Sequence, residues 1–168
     1  YYRENLALLE ASGADLVPFS PIAGDGLPPG CKGVLLGGGY PELYASELTQ
    51  NRPLRVAITA FAAAGGAIYA ECGGLVFLSQ SLSDGGAQPR PMCGLAPFAT
   101  RVVLSSNDTT AAPGASASGY ATVTVREGCP LFPAGASTRG YIHRNSEIVS
   151  EPALSSAPGG PGASWFAA

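Results

Sequence analysis

The stretch Ala67-Ile68-Tyr69-Ala70-Glu71-Cys72-Gly73-Gly74-Leu75 decides the predicted fold. Its first four residues form a short apolar run that predicts a buried strand, and residues 75–82 predict an apolar helix directly after it. Cys72 therefore stands on a strand-to-helix turn, where two following glycines relieve the crowding of a tight bend. This pattern is typical of a nucleophile elbow, which lifts a side chain to the carboxyl edge of a sheet. The alternative is a buried cysteine at an ordinary β–α junction.

An earlier apolar run, Gly33–Leu36, predicts a strand that opens into Gly37-Gly38-Gly39. If the two strands are parallel, this glycine loop and Cys72 meet at one edge of the sheet. Backbone N–H groups of the loop and of Gly73 would then face a developing oxyanion, and the N–H groups at the helix start would favour a thiolate. The alternative for the loop is an ordinary glycine-rich turn, since its spacing does not match a dinucleotide-binding fingerprint.

The flanking sequence predicts alternating strands and helices in the first half of the chain. Because the strands are continuously apolar, they indicate an α/β fold with a mostly parallel sheet and helices on both faces. The second half is more β-rich, and its end is rich in Ala, Ser, Pro and Gly, which predicts an irregular tail. The predicted segments are helices at 5–11, 41–49 and 54–64, strands at 14–19, 96–104 and 119–126, a polar loop at 105–118, and the tail at 151–168.

The composition limits the classes of function. The chain has 168 residues, of which 46% are hydrophobic and 12% charged, as expected for one globular domain. Its net charge is −3 and Lys32 is the only lysine, so the chain lacks the basic surface that nucleic acid requires. Gly and Pro interrupt every apolar run before it reaches the roughly 18 residues of a membrane span. Nucleic acid and membranes are therefore not expected as partners.

The cysteines and the histidine restrict the chemistry further. The four cysteines form no C-x-x-C pair and His143 is the only histidine, which excludes a zinc site of the usual spacing, so no metal is predicted. So few cysteines favour a reducing, cytoplasmic location, with Cys31, Cys93 and Cys129 as small buried hydrophobes. His143 is the one histidine that could serve Cys72 as a base, and the alternative is a surface histidine. The sequence also lacks a phosphate-binding loop, so it carries no Walker-type ATP site.

Two motifs closely resemble one family. L-G-G-G-Y-P-E-L-Y-A-x-x-L at Leu36–Leu48 and Y-A-E-C-G-G-L-x-x-L at Tyr69–Leu78 resemble the C-terminal glutamine amidotransferase domain of cobyrinic acid a,c-diamide synthase. Y-Y-x-E-N-L at Tyr1–Leu6 is also similar to the start of that domain, and Arg139-Gly140 partly matches a later R-G-H-E-F-H-Y-S motif. The resemblance implies a flavodoxin-like class I (triad-type) domain over residues 1–150.

The resemblance implies a glutaminase. Cys72 would attack the side-chain amide of glutamine, form a γ-glutamyl thioester and release ammonia, with His143 as the candidate base. The backbone N–H groups of Gly38, Gly39 and Gly73 would hold the oxyanion. Glu71 matches the glutamate that precedes the nucleophile in the family. We do not expect it to act as a base, because adjacent strand residues point to opposite faces.

The resemblance also implies that the chain is an excerpt of a longer protein. In the family, an N-terminal ATP-binding domain uses Mg-ATP to activate the a and c carboxylates of cobyrinate, and ammonia then amidates them on the route to cobalamin. This chain would bind glutamine, would need no cofactor of its own and would meet the corrinoid through the missing domain. A homodimer is compatible with this prediction. Whether cobyrinate or hydrogenobyrinate is the acceptor is not determined by the sequence.

Two alternatives stay open at this point. The family's catalytic histidine lies in a final A-S-Y-x-H segment, which Ala163-Ser164-Trp165-Phe166-Ala167 resembles with Ala167 in the histidine position. A domain that has lost its base would keep the fold and act as a binding or scaffolding module. A second alternative is a small hydrolase or sensor of the same fold class with a redox-active Cys72, which reversible oxidation by peroxide would reveal.

Overall fold

Two short apolar strands that end in glycine-rich turns form the sheet that carries Cys72. The computed structural model describes residues 1–86, 88–103, 118–126, 128, 131–143 and 145–150. Strands β1 (Gly33–Leu36) and β2 (Ala67–Ala70) pair in parallel, with Gly33 opposite Ala67 and Leu36 opposite Ala70. Both strands were predicted from their apolar runs, and their presence is confirmed. The predicted burial of β2 is wrong, because Ala67 and Tyr69 are exposed and the other two residues are only half-buried.

Helices connect and follow these strands, so the α/β class is confirmed. Helix α3 begins where Asn51 caps it, because the Asn51 side chain accepts a hydrogen bond of 3.2 Å from the Leu54 N–H. Pro53, which lacks an N–H, is tolerated in the first turn of this helix. The helices of the described residues are α1 (Arg3–Ala11), a 3₁₀ turn (Pro41–Tyr44), α2 (Ala45–Gln50), α3 (Arg52–Ala63) and α4 (Gly73–Leu78).

The second half of the chain is rich in strands, as predicted. One four-stranded sheet has the order β4-β3-β5-β8, in which β3 and β5 are parallel and the other neighbours are antiparallel. Strands β6 and β7 form a separate antiparallel ribbon. The strands of this half are β3 (Ser81–Ser83), β4 (Arg90–Pro91), β5 (Ala99–Val102), β6 (Ser118–Thr124), β7 (Ser137–His143) and β8 (Ser146–Ser150).

One apolar core joins the first sheet to the four-stranded sheet. Leu54 and Ile58 on α3 and Leu82 on β3 are completely buried in it. Side chains from β1, α2, α4 and β5 complete the same cluster: Val34, Leu36, Leu48, Val76, Phe77, Leu78 and Val102. The carboxyl ends of β1 and β2 are therefore held on a packed scaffold.

Two predicted elements differ from the structure. Residues 14–19 were predicted as a buried strand but form no ladder among the described residues. Val17 is exposed there, and Pro18 has no N–H to donate to a neighbouring strand. The helix predicted over 75–82 ends at Leu78, because the Ser79 hydroxyl bonds the Val76 carbonyl at 2.7 Å and Leu82 pairs with Thr100 in a strand.

Several predictions fall on residues that the structure does not describe. They concern residues 105–117 of the polar loop predicted at 105–118, Cys129, and the tail over 151–168 with Ala167. The last residue of that predicted loop, Ser118, is the first residue of β6. Within the described ranges, no helix has both the length and the apolar character needed to cross a membrane.

Candidate active site

The glycine loop and Cys72 meet at one edge of the β1–β2 sheet. Because the two strands run parallel with Leu36 opposite Ala70, the residues that follow each strand emerge side by side. The Glu71 N–H donates to the Leu36 carbonyl at 3.0 Å and extends the pairing by one step. The expected meeting of the Gly37-Gly38-Gly39 loop with the Cys72 turn is thus confirmed.

Cys72 has the strained backbone expected of an elbow. Its φ of +49° and ψ of −118° make it the one non-glycine residue with positive φ in the described part of the chain. Such a conformation costs on the order of 1–3 kcal/mol and persists where the surrounding structure holds it, commonly at functional sites. The Cys72 carbonyl accepts the Val76 N–H at 3.1 Å, and the residue is exposed at the mouth of the turn.

The two glycines after Cys72 have no room for a side chain. A Cβ on Gly73 would lie 2.6 Å from the Gly39 carbonyl oxygen, and a Cβ on Gly74 would lie 2.4 Å from the Leu36 carbonyl oxygen. Real Cβ atoms do not approach backbone this closely. The elbow therefore packs directly on the glycine loop and on the end of β1, which requires glycine at both positions.

Gly38 presents to Cys72 the side that would carry a Cβ. A Cβ built on it would lie 3.6 Å from the Cys72 Cβ and 4.0 Å from Sγ. The N–H of Gly74 donates to the carbonyls of Gly37 and Glu71, at 3.0 and 2.9 Å. Within the described residues, no hydrogen bond uses the N–H of Gly38, Gly39 or Gly73. These three groups are the ones that the sequence predicted for an oxyanion.

Glu71 has a partner close to its own strand. The Tyr69 hydroxyl donates to Glu71 Oε2 at 3.2 Å. Burial raises the pKa of Tyr69, and the charge of Glu71 and this hydrogen bond raise it further. The phenol is thus a neutral donor to a carboxylate at physiological pH. That Glu71 is not the base for Cys72 stays a prediction.

His143 lies at the end of β7, on the ribbon. Its backbone is opposite Ser118 in the β6–β7 register. Glu147, four residues later, lies on β8, is buried, and forms an ion pair with Arg101 of β5. The described contacts do not test whether His143 serves Cys72, and that pairing stays a prediction.

Tyr1 contacts this edge of the sheet, and the sequence did not predict that contact. Its hydroxyl donates to the Leu35 carbonyl at 2.9 Å and accepts the Gly37 N–H at 3.2 Å. The motif Y-Y-x-E-N-L marked the segment but gave Tyr1 no role. Since the contact spans more than thirty residues, no local spacing rule predicts it.

The thiols differ in their surroundings. Cys31 and Cys93 are half-buried and pack against the core, as expected for small apolar residues, whereas Cys72 is exposed. Burial raises the pKa of Cys93 to about 12, and the nearby charge of Arg55 offsets only part of that effect. Cys93 is therefore protonated and unreactive at neutral pH.

We expect iodoacetamide at pH 8 to label Cys72 at least about tenfold faster than Cys93, because the thiolate is the reactive form and burial suppresses it at Cys93. Labelling of Cys93 should accelerate as the pH rises above 8, because its thiolate fraction then increases, and when the chain unfolds. Peptide mapping after timed quenching measures both rates. Equal rates in the folded protein at pH 8 would contradict this account of the two thiols.

The described residues contain no group of three or more His, Cys, Asp or Glu side chains that could hold a metal ion.

Comparison with known proteins shows which family the chain is similar to. Residues 1–152 match the model of the CobB/CobQ-like glutamine amidotransferase domain. A cobyrinate a,c-diamide synthase of Syntrophotalea carbinolica is 43% identical over 159 residues, which is 95% of this chain and 32% of that protein. A hydrogenobyrinate a,c-diamide synthase of Streptomyces coelicolor is 38% identical over 158 residues, covering 94% of this chain and 29% of that protein.

A solved structure supports the same fold. The crystal structure of a glutamine amidotransferase superposes with a TM-score of 0.57 at 14% identity, covering 89% of this chain and 69% of the other. At that identity the likeness concerns the fold alone. The chain spans about a third of the length of the curated relatives it matches.

Proposed function

Since this chain belongs to the CobB/CobQ-like glutamine amidotransferase family, we propose that it is the glutamine-hydrolysing part of a cobyrinate-type a,c-diamide synthase. The strained turn that holds Cys72 against the Gly38 backbone carries the proposal, because it presents a thiol beside unused N–H groups. The names of the relatives support this enzyme over a non-catalytic binding module.

In the first half of the reaction, the Cys72 sulfur attacks the side-chain carbonyl carbon of glutamine. A C–S bond forms, and the carbonyl π electrons move to oxygen, giving a tetrahedral oxyanion. The C–N bond then breaks, and a proton transferred to nitrogen lets ammonia leave. The product is a γ-glutamyl thioester on Cys72. His143 is the candidate to take the thiol proton and deliver it to the leaving nitrogen.

The oxyanion needs donors that are in place before the charge develops. We assign this role to the N–H groups of Gly38, Gly39 and Gly73, which the described hydrogen bonds leave unused. Backbone donors on a packed elbow cost little reorganisation, and one such donor is typically worth a factor of about 10²–10³ in turnover.

In the second half, water attacks the thioester carbonyl. The C–S bond breaks, glutamate leaves and the thiol recovers its proton. The same three N–H groups would hold the second oxyanion, since its oxygen occupies the same position. Ammonia is then free to amidate a carboxylate elsewhere in the longer protein.

Amidation of a carboxylate requires its activation, for which we propose Mg-ATP as cofactor and a cobyrinate-type corrinoid as acceptor. The residues of this chain do not fit that cofactor, because the sequence has no phosphate-binding loop and the described residues have no metal-binding cluster. We therefore assign the ATP step and the corrinoid to a separate part of the protein. The thiol chemistry and the need for ATP both favour the cytoplasm.

The direct test is hydrolysis of glutamine by the chain alone. We expect equal amounts of glutamate and ammonia, measured by coupled enzyme assays, because each turnover yields one of each. Replacing His143 by alanine should lower kcat by roughly 10²–10⁴-fold if His143 is the base, since that is the range for general acid–base catalysis.

Asparagine serves as the control substrate, because its side chain is one methylene shorter and its amide would not reach Cys72. A folded chain that releases no glutamate would contradict the proposed glutaminase in this excerpt. A His143→Ala variant with unchanged kcat would remove His143 from the mechanism and leave the rest of the proposal standing.

A further inference from the structure

The Tyr1 side chain connects the start of the chain to the turn between β1 and the glycine loop. Its hydroxyl donates to the Leu35 carbonyl at 2.9 Å and accepts the Gly37 N–H at 3.2 Å. A phenol can do both at once because it has one proton to donate and lone pairs that accept. One side chain thus holds a strand carbonyl and the first N–H of the loop.

The ring of Tyr1 occupies the space beside Gly37. A Cβ on Gly37 would lie 2.9 to 3.1 Å from three ring carbons of Tyr1. Any other residue at position 37 would push the ring away. The Tyr1 ring therefore packs directly against Gly37, and this contact is independent of the two hydrogen bonds.

These contacts fix two consecutive peptide planes. The Gly37 N–H belongs to the peptide between Leu36 and Gly37. Tyr1 holds this peptide at the N–H, and the Glu71 N–H holds it at the Leu36 carbonyl. The Gly37 carbonyl belongs to the next peptide, which the Gly74 N–H holds at 3.0 Å. Because a peptide is planar and trans, the N–H of that second peptide, which is the Gly38 N–H, points opposite to the held carbonyl.

We propose that Tyr1 is a positioning residue that fixes the direction of the Gly38 N–H, one of the three donors proposed for the oxyanion. The inference rests on the proposed glutaminase function. Three successive glycines have unusually wide conformational freedom, so a loop of this composition loses precision unless its first residue is anchored from both sides. The N–H groups of Glu71 and Gly74 anchor the carbonyls of Leu36 and Gly37, and the Tyr1 hydroxyl anchors the Gly37 N–H.

The hydroxyl rather than the ring carries this role. Tyr1 is 70% exposed, so burial of its ring contributes little to folding. Tyr1→Phe keeps the ring beside Gly37 and removes only the bridging oxygen. Tyr2→Phe is the matched control, because Tyr2 is similarly exposed at 72% and the described hydrogen bonds do not use its hydroxyl.

We expect Tyr1→Phe to lower kcat for glutamine roughly three- to tenfold and to change KM less than about twofold, because the lost alignment matters most for the oxyanion. Alkylation of Cys72 by iodoacetamide should keep its rate, since that displacement forms no oxyanion. Amide exchange of Gly37, followed by NMR, should accelerate roughly three- to tenfold as its acceptor is lost. Tyr2→Phe should change none of these quantities.

Unchanged exchange at Gly37 in Tyr1→Phe would overturn the proposal at any level of activity. If Tyr1→Phe shows faster exchange at Gly37 but has the same kcat as Tyr2→Phe, the catalytic part of the proposal is overturned. If the parent chain releases no glutamate at all, the proposed function fails, and the exchange rates still decide whether Tyr1 anchors the loop. A parallel loss of iodoacetamide reactivity would instead indicate general damage to the elbow and would also count against positioning.

Discussion

Replacing Cys72 by alanine is expected to lower glutamine hydrolysis by at least about a thousandfold, because the variant has no atom that can form the thioester. The sulfur is the only part of the side chain that the mechanism uses. Glutamate release under saturating glutamine measures the effect. Cys93→Ala is the matched control, since it also removes a thiol. Cys93 packs against the apolar core and is not part of the proposed site, so this variant should retain turnover.

Substitutions at Cys72 should also change the stability of the fold. Cys72 has a φ of +49°, which glycine adopts without strain and other residues do not. Cys72→Gly should therefore raise the free energy of unfolding relative to Cys72→Ala by about 1 kcal/mol, measured by urea denaturation. An alanine variant that still hydrolyses glutamine would contradict the nucleophile assignment, and equal stability of the two variants would contradict the strain.

Replacing Gly73 by alanine is expected to have the next largest effect. Its Cβ would lie 2.6 Å from the Gly39 carbonyl oxygen and 2.9 Å from the Gly39 nitrogen and carbonyl carbon. These are backbone atoms, so the contact is relieved only if the elbow and the loop move apart. We expect at least about a hundredfold loss in kcat/KM, because this movement displaces oxyanion donors, and about 1–3 kcal/mol lower stability.

Gly26→Ala is the matched control for this substitution. A Cβ on Gly26 meets nothing within 4 Å, its φ is not in the left-handed region, and the residue lies outside the site. It should leave both kcat/KM and the urea midpoint close to those of the parent chain. If Gly73→Ala behaves like Gly26→Ala, the close packing of the elbow on the glycine loop is not needed for activity.

The part of the site around Cys72 was predictable because its signals are local. An apolar run followed by glycines marks the end of each strand, and the parallel register of β1 and β2 then brings the two ends together. The steric demand at Gly73 and Gly74 also follows from the tight turn. Hence the sequence predicted that the Cys72 turn and the glycine loop meet at one edge of the sheet.

Other features depended on contacts that sequence spacing does not encode. Residues 14–19 have the apolar content of a strand, but a strand also needs a neighbour, and their described backbone has none. Leu82 continues an apolar pattern that suits a helix, yet pairing with Thr100 places it in a strand. Tyr1 contacts Gly37 through folding of the whole first half, so only the structure identifies it.

The most direct test of the central claim is to treat the chain with the glutamine analogue 6-diazo-5-oxonorleucine and to map the product by mass spectrometry. The reagent carries a diazomethyl ketone in place of the side-chain amide of glutamine. Its terminal carbon stands where the amide nitrogen would be, and it forms a bond to the nucleophile as N2 leaves. We predict one adduct per chain, located on Cys72 and prevented by excess glutamine. A folded chain with no adduct, or with one that glutamine does not prevent, would contradict a glutamine site built around Cys72.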